Sequence, residues 1–134
     1  IVMPCATQND VDLDEAKKIV ANGIKYYIEV ANMPTTNGAL KYLLEQKNMI
    51  VAPSKAVNAG GVSVSALEMS QNSERLFWDG EEVDKWLHKI MKGIHDGSAA
   101  AAERYGLGYD LVAGANLVGF EKVADAMIKQ GRAL

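Results

Sequence analysis

Apolar positions in the first half of the chain follow two alternating spacings. Short apolar runs at residues 1–3, 24–30 and 49–53, the second rich in β-branched and aromatic side chains, are typical of buried strands. Between these runs, apolar residues recur every three or four positions, which is typical of amphipathic helices. Because each strand is followed by a helix, the pattern predicts parallel strands joined by right-handed crossovers.

Polar residues mark where the helices begin. Asp12, with Glu15 three residues later, predicts a capping box at the first helix. Either Thr35 or Thr36 can cap the second helix. The third helix is predicted to follow a glycine pair and to run to about residue 75.

The second half has a different pattern. The apolar spacing over residues 79–94 predicts a long amphipathic helix, and the alanine run within residues 95–106 favours helix. The glycine-punctuated segment 106–119 is predicted to be a loop, followed by a final helix that Gly131 stops. The predicted fold class is therefore α/β, with a partial parallel sheet of about three strands and a helical C-terminal tail.

Composition narrows the class of protein. The chain has 134 residues, of which 49% are hydrophobic and 23% charged, as expected of a soluble globular domain. A net charge of −3 without a basic block argues against nucleic-acid and membrane-surface partners, and no apolar run approaches the roughly 20 residues of a membrane span. The single Cys5 favours a reducing, cytoplasmic location, and we expect it to be a buried packing residue. The opening residues lack an initiator Met, and we expect them to continue a longer chain.

Three segments rich in small and polar residues follow the predicted strands. They are residues 4–9, 31–36 and 54–63. The carboxyl ends of parallel strands share one edge of a sheet, and ligands bind there. We therefore expect the segment that contains Gly60-Gly61 to line a ligand cleft.

Local sequence leaves structural alternatives open. Asn58 can be a plain helix start, Asn32 a simple turn residue, and Ser65 a structural serine in the first turns of a helix. His88 and His95 share a predicted helix, but no third ligand converges on them, so we expect solvated surface histidines and no metal site.

Four stretches carry a family resemblance. PCATQN (4–9), ANMPTT (31–36), KAVNAGGVSVSALEMSQNSER (55–75) and AGANLVGFEKVADAM (113–127) occur in this order in hexameric glutamate dehydrogenases. The chain resembles the C-terminal part of such a subunit, most of all the small-subunit bacterial type. Val30 departs from the pattern, since many relatives carry glycine there.

The resemblance implies a domain organisation and a reaction. Residues 1–78 would form the second half of a Rossmann-like dinucleotide-binding domain, and residues 79–134 would pack on it and return toward a substrate domain. The implied enzyme is a homo-hexamer that converts L-glutamate to 2-oxoglutarate and ammonia with NAD or NADP. The family's catalytic Lys and Asp and its phosphate loop would lie upstream, so this chain alone should be inactive.

The resemblance also implies residue roles. Asn32 and Asn58 would lie beside the nicotinamide and its ribose, and Ala6 and Thr7 would lie against the dinucleotide. Amide side chains suit this role because they both donate and accept hydrogen bonds.

Substrate contacts are implied for two residues. Ser65 would hydrogen-bond the γ-carboxylate of glutamate, and Val62 would contact its aliphatic part. Two alternatives stay open: a non-catalytic interaction piece, and a related leucine- or phenylalanine-type dehydrogenase. The hydroxyl of Ser65 favours a carboxylate substrate over these apolar ones.

Overall fold

The computed structural model describes residues 1–131, in which helices dominate around a small parallel sheet. In chain order the elements are α1 (Leu13–Ala21), β1 (Tyr26–Ile28), α2 (Asn37–Leu44), β2 (Ile50–Ala52), α3 (Ser54–Val57), α4 (Ala59–Glu74), α5 (Gly80–Arg104) and α6 (Leu111–Lys129). Within these residues no helix combines the length and apolar character that crossing a membrane requires.

The sheet has the predicted parallel direction. β1 and β2 pair with Tyr27 opposite Val51. Val2 adds an isolated parallel bridge to Tyr27, so the first predicted strand is reduced to one paired residue. Pro4 explains why, because it has no N–H to continue the ladder, although its carbonyl still accepts hydrogen bonds from the next segment.

Helices α1 and α2 pack together, and their buried side chains join those of the sheet in one core. The capping box predicted for α1 is confirmed, since the Asp12 side chain accepts from the backbone N–H of Glu15 and the Glu15 side chain accepts from that of Asp12. The core cluster consists of Val11, Ala16, Tyr27, Ala39, Leu43 and Val51.

Cys5 is exposed, so the expectation that it is buried was wrong. The paired stretch ends at Val2, and the chain has already left the sheet when it reaches Cys5. Its thiol lies 3.2 Å from the Met3 carbonyl oxygen.

Helix α6 begins at Leu111, so the loop predicted for residues 106–119 was wrong over its second half. Asp110 caps this helix through a hydrogen bond from the Ala113 N–H (2.9 Å). Gly114 is buried against α5, where an added Cβ would lie 2.0 Å from the Ser98 carbonyl oxygen. This glycine allows two helices to approach closely, which a local reading of the sequence takes for a turn.

Candidate functional site

The three polar segments meet at the carboxyl edge of the sheet, as predicted. The Pro4 carbonyl oxygen accepts from the backbone N–H groups of Val30 (3.1 Å) and Ala31 (3.0 Å), and the Asn9 N–H donates to the Met33 carbonyl (3.0 Å). These bonds hold residues 4–9 against the segment that follows β1.

Asn32 and Asn58 are in direct contact. The Asn58 Nδ2 donates to the Asn32 Oδ1 at 2.7 Å, across 26 positions of sequence. Asn58 is the residue before α4, yet its side chain makes no capping hydrogen bond to that helix. The structure therefore favours a role for Asn58 across the edge of the sheet over a plain helix start.

The asparagine pair keeps hydrogen-bonding capacity for a ligand. Each primary amide has a carbonyl oxygen and an NH₂ group, and their mutual bond uses one donor and one acceptor. Whichever way round the two amides are oriented, one carbonyl oxygen and one NH₂ group stay available side by side. A carboxamide or a ribose hydroxyl pair offers the complementary groups.

Val62 and Ser65 lie on the same side of α4 as Asn58. They follow it by four and seven positions, which places them on one helix face with Ser65 about 10 Å along the axis. Val62 is 69% exposed, and the Ser65 hydroxyl donates to the Gly61 carbonyl (3.3 Å). That bond is typical of a structural helix serine. The substrate role of Ser65 stays a prediction.

Ala6 and Thr7 are exposed at the same edge. The Thr7 backbone N–H and hydroxyl donate to the Asp10 carboxylate at 2.7 Å and 2.6 Å. The hydroxyl and backbone bonds from Thr7 hold the pKa of Asp10 below its ordinary value. The Thr7 hydroxyl can still accept a hydrogen bond. Contact of either residue with a dinucleotide stays a prediction.

The glycine pair is open to solvent on the side of the described protein atoms. An added Cβ on Gly61 would meet nothing within 4 Å, and one on Gly60 would meet only the side chains of Leu87 and Met91 at ordinary distances. Packing within residues 1–131 therefore does not require glycine here. Close approach of a ligand to this backbone stays a prediction.

Sequence reasoning missed two charged residues of the cleft. A cavity of about 620 Å³ lies at this edge, and its lining includes Glu29 and Lys55. Glu29 is only 5% exposed, and its Oε2 accepts from the Ser54 N–H at 3.1 Å. The Lys55 ammonium donates to the Asn116 side chain of α6. The signal for Glu29 was a charged residue inside the otherwise apolar second run.

Glu29 and Tyr27 lie on the same face of β1, two positions apart. The buried Tyr27 hydroxyl is 2.8 Å from the Thr35 hydroxyl. Burial raises the pKa of Tyr27, the bond to Thr35 opposes that rise, and the Glu29 charge adds to it. The cleft floor is therefore polar and internally hydrogen-bonded.

Residues 1–131 match the Glutamate/Leucine/Phenylalanine/Valine dehydrogenase family. The chain belongs to this family. It is 77% identical over 131 residues to the NAD-specific glutamate dehydrogenase of Clostridium symbiosum, covering 98% of this chain and 29% of that protein. It is 52% identical over 133 residues to the NADP-specific glutamate dehydrogenase of Escherichia coli K12, with coverages of 98% and 29%.

Solved dehydrogenase structures have the same fold. A structure titled glutamate dehydrogenase matches with a TM-score of 0.93 at 76% identity, covering 98% of this chain and 29% of the other. The hetero-hexameric glutamate dehydrogenase of Thermus thermophilus in a Leu-bound form matches with a TM-score of 0.85 at 30% identity, with coverages of 98% and 30%. This dehydrogenase chain thus spans under a third of the length of these relatives.

Proposed function

We propose that this chain forms the nicotinamide end of the coenzyme site in an NAD- or NADP-dependent glutamate dehydrogenase. The reaction is the reversible oxidative deamination of L-glutamate to 2-oxoglutarate and ammonia. The contact between Asn58 and Asn32 carries the proposal, because it puts two amides with free capacity at the carboxyl edge of a parallel sheet. The names of the relatives at 77% and 52% identity support it.

The donor set fits a nicotinamide coenzyme. Asn32 and Asn58 would bind and orient the carboxamide and ribose, while Ala6 and Thr7 would line the dinucleotide. When bound, the coenzyme supplies the hydride acceptor for the α-carbon of glutamate. The residues of this chain hold that acceptor in place, which accelerates the reaction through proximity and orientation.

The substrate would lie against the exposed face of α4. There the Ser65 hydroxyl would donate to the γ-carboxylate, and Val62 would cover the aliphatic part of glutamate. We assign no proton-transfer residue to this chain, and the catalytic Lys and Asp of the family would come from the rest of the subunit.

The proposal includes an organisation for the whole subunit. Residues 1–78 are the second half of a Rossmann-like coenzyme domain, and residues 79–134 are the helices that pack on it and return toward the substrate domain. A homo-hexamer in the cytoplasm is the proposed state. One relative of known structure is titled hetero-hexameric, which supports a six-subunit assembly.

Substrate-dependent coenzyme reduction by the full-length protein tests this proposal. NAD and NADP would each be offered with L-glutamate, L-leucine, L-phenylalanine or L-valine, and kcat/KM would be compared. We expect L-glutamate to be preferred by at least about a hundredfold, since a missing polar partner costs several kcal/mol in a site built for it. Equal use of leucine would assign the protein to the leucine-type branch. No turnover with any amino acid would favour a non-catalytic interaction role.

A further inference from the structure

Glu29 is a buried carboxylate that the proposed reaction leaves unexplained. It lies one residue beyond β1, and its backbone N–H donates to the Ala52 carbonyl of β2 at 3.0 Å. Its Oε2 accepts from the backbone N–H of Ser54 at 3.1 Å. The ion pairs formed within residues 1–131 do not include this carboxylate. A buried charge is costly, so its hydrogen bond to the backbone matters for the local structure.

The two ends of the Glu29 bond lie close in sequence to the asparagine pair. Glu29 precedes Asn32 by three residues, and Ser54 precedes Asn58 by four. Two side-chain contacts, Glu29 with Ser54 and Asn32 with Asn58, therefore join the same two segments. The first contact is buried and charged, whereas the second is exposed to the cleft.

Ser54 is also the first residue of α3, whose last turn leads into Asn58. The backbone N–H of Asn58 donates to the Ser54 carbonyl at 2.9 Å. The position of Ser54 thus sets the position of Asn58 through a single helical turn. Because a four-residue helix has little stability of its own, an anchor at its first residue is needed to fix it.

We propose that Glu29 is a positioning residue that fixes α3 through the Ser54 N–H and so places Asn58 for the coenzyme. This inference rests on the proposed function. Glu29 does not touch the coenzyme in this proposal. It acts through the backbone of residues 54–58, and loss of the anchor would misplace the amide pair while the helices and sheet stay folded.

The test is a set of substitutions in the full-length enzyme. Glu29→Ala removes the acceptor, and Glu29→Gln keeps an amide oxygen of the same reach. We expect Glu29→Ala to raise the KM for the coenzyme about tenfold, the usual scale of one charge-assisted hydrogen bond, and Glu29→Gln to stay within about threefold of wild type. Glu45→Gln, at an exposed site after α2, is the matched charge control and is expected to leave the kinetics unchanged.

The donor side gives an independent pair of variants. Ser54→Pro deletes the N–H at a first helical position that accepts proline, whereas Ser54→Ala keeps it. We expect Ser54→Pro to raise the coenzyme KM at least as much as Glu29→Ala, with Ser54→Ala well below both. If the Glu29 variants do not fold, the comparison of the two Ser54 variants decides the question.

Several results would overturn the inference. One is an unchanged coenzyme KM in Glu29→Ala or in Ser54→Pro, including a variant that loses only the fraction of folded protein. Another is equal impairment of Glu29→Ala and Glu29→Gln, which would mean that the charge itself is needed. The proposed function fails separately, since it predicts that the wild-type protein reduces NAD or NADP with glutamate.

Discussion

At the scale of single residues, the molecule uses asparagine where a structural role alone would favour other choices. A side chain directly before a helix normally satisfies the first N–H groups of that helix. Asn58 instead bonds to Asn32, and Thr36 before α2 also makes no side-chain cap. Thr35 bonds to Tyr27 in the core. The residue types predicted at these helix starts are present, but their side chains serve tertiary contacts.

Ser65 gives the sharpest prediction at this scale. We expect Ser65→Val in the full-length enzyme to raise the KM for glutamate about tenfold or more and to lower kcat, because the γ-carboxylate loses a donor. Its present bond, to the Gly61 carbonyl, contributes little to stability because it is an exposed bond within one helix. Steady-state kinetics with glutamate would measure the effect.

Ser70→Val is the matched control for Ser65→Val. Ser70 is exposed on the same helix and makes the same kind of bond, to the Ala66 carbonyl. We expect its kinetics to match wild type. Equal KM values for the Ser65 and Ser70 variants would remove Ser65 from the substrate site.

At the scale of helices, α5 and α6 form the most extensive contact of the second half. Their closest approach is at Gly114 against Ser98, and their far ends are joined by Arg104 and Glu121. The Arg104 Nη2 lies 2.7 Å and 2.6 Å from the two Glu121 carboxylate oxygens, and the Tyr105 hydroxyl donates to the same carboxylate at 3.0 Å.

Gly114→Ala should destabilise this helix pair. The added methyl group would overlap a backbone carbonyl, which cannot rotate away as a side chain would. We expect a loss of about 2 kcal/mol or more in the free energy of unfolding, seen as a lower midpoint in thermal or denaturant unfolding. Gly119→Ala on the same helix has open space and should leave the midpoint unchanged or raise it. Equal midpoints for the two variants would contradict the close approach.

Glu121 should make the helix contact sensitive to acid. The hydrogen bond from Arg104, followed by that from Tyr105, lowers the pKa of Glu121 from its ordinary value. A lowered folded pKa means that the contribution is present above about pH 4.3 and is lost as the pH falls through the lowered value. We expect Glu121→Gln to melt below wild type at pH 7, with the gap closing between about pH 5 and pH 3.

The control for Glu121 is Asp125→Asn, at an exposed carboxylate on the same helix. Its melting temperature should follow wild type across the same pH range. A gap between wild type and Glu121→Gln that is independent of pH would show that the charge of Glu121 does not support the contact.

The misread start of α6 shows where sequence reasoning ends at this scale. Gly114 and Gly119 resemble loop punctuation when only neighbouring residues are considered. The Asp110 cap was readable, but the need for a small residue at Gly114 comes from Ser98 on another helix. Such a tertiary requirement has no local signal.

At the scale of the whole molecule, the topology was the most predictable feature. Parallel strands and crossover helices follow from the alternation of apolar spacings, and they suffice to bring Asn32 and Asn58 to one edge. The anchoring role of Glu29 was not predictable, since its partner is a backbone N–H distant in sequence. Burial was also poorly predicted, because Phe77, Phe120 and Ile128 are 96%, 69% and 72% exposed within the described residues.

The central claim is that Asn32 and Asn58 together bind the coenzyme. The most direct test is the dissociation constant of NADH or NADPH, whichever the wild-type full-length protein binds, measured by fluorescence titration. The variants are Asn32→Ala, Asn58→Ala and the double variant, with Asn72→Ala at the exposed far end of α4 as the control. We predict about tenfold weaker binding for each single variant and, because the two amides act as one unit, less than the product for the double variant. Binding as tight as wild type in Asn58→Ala would contradict the account.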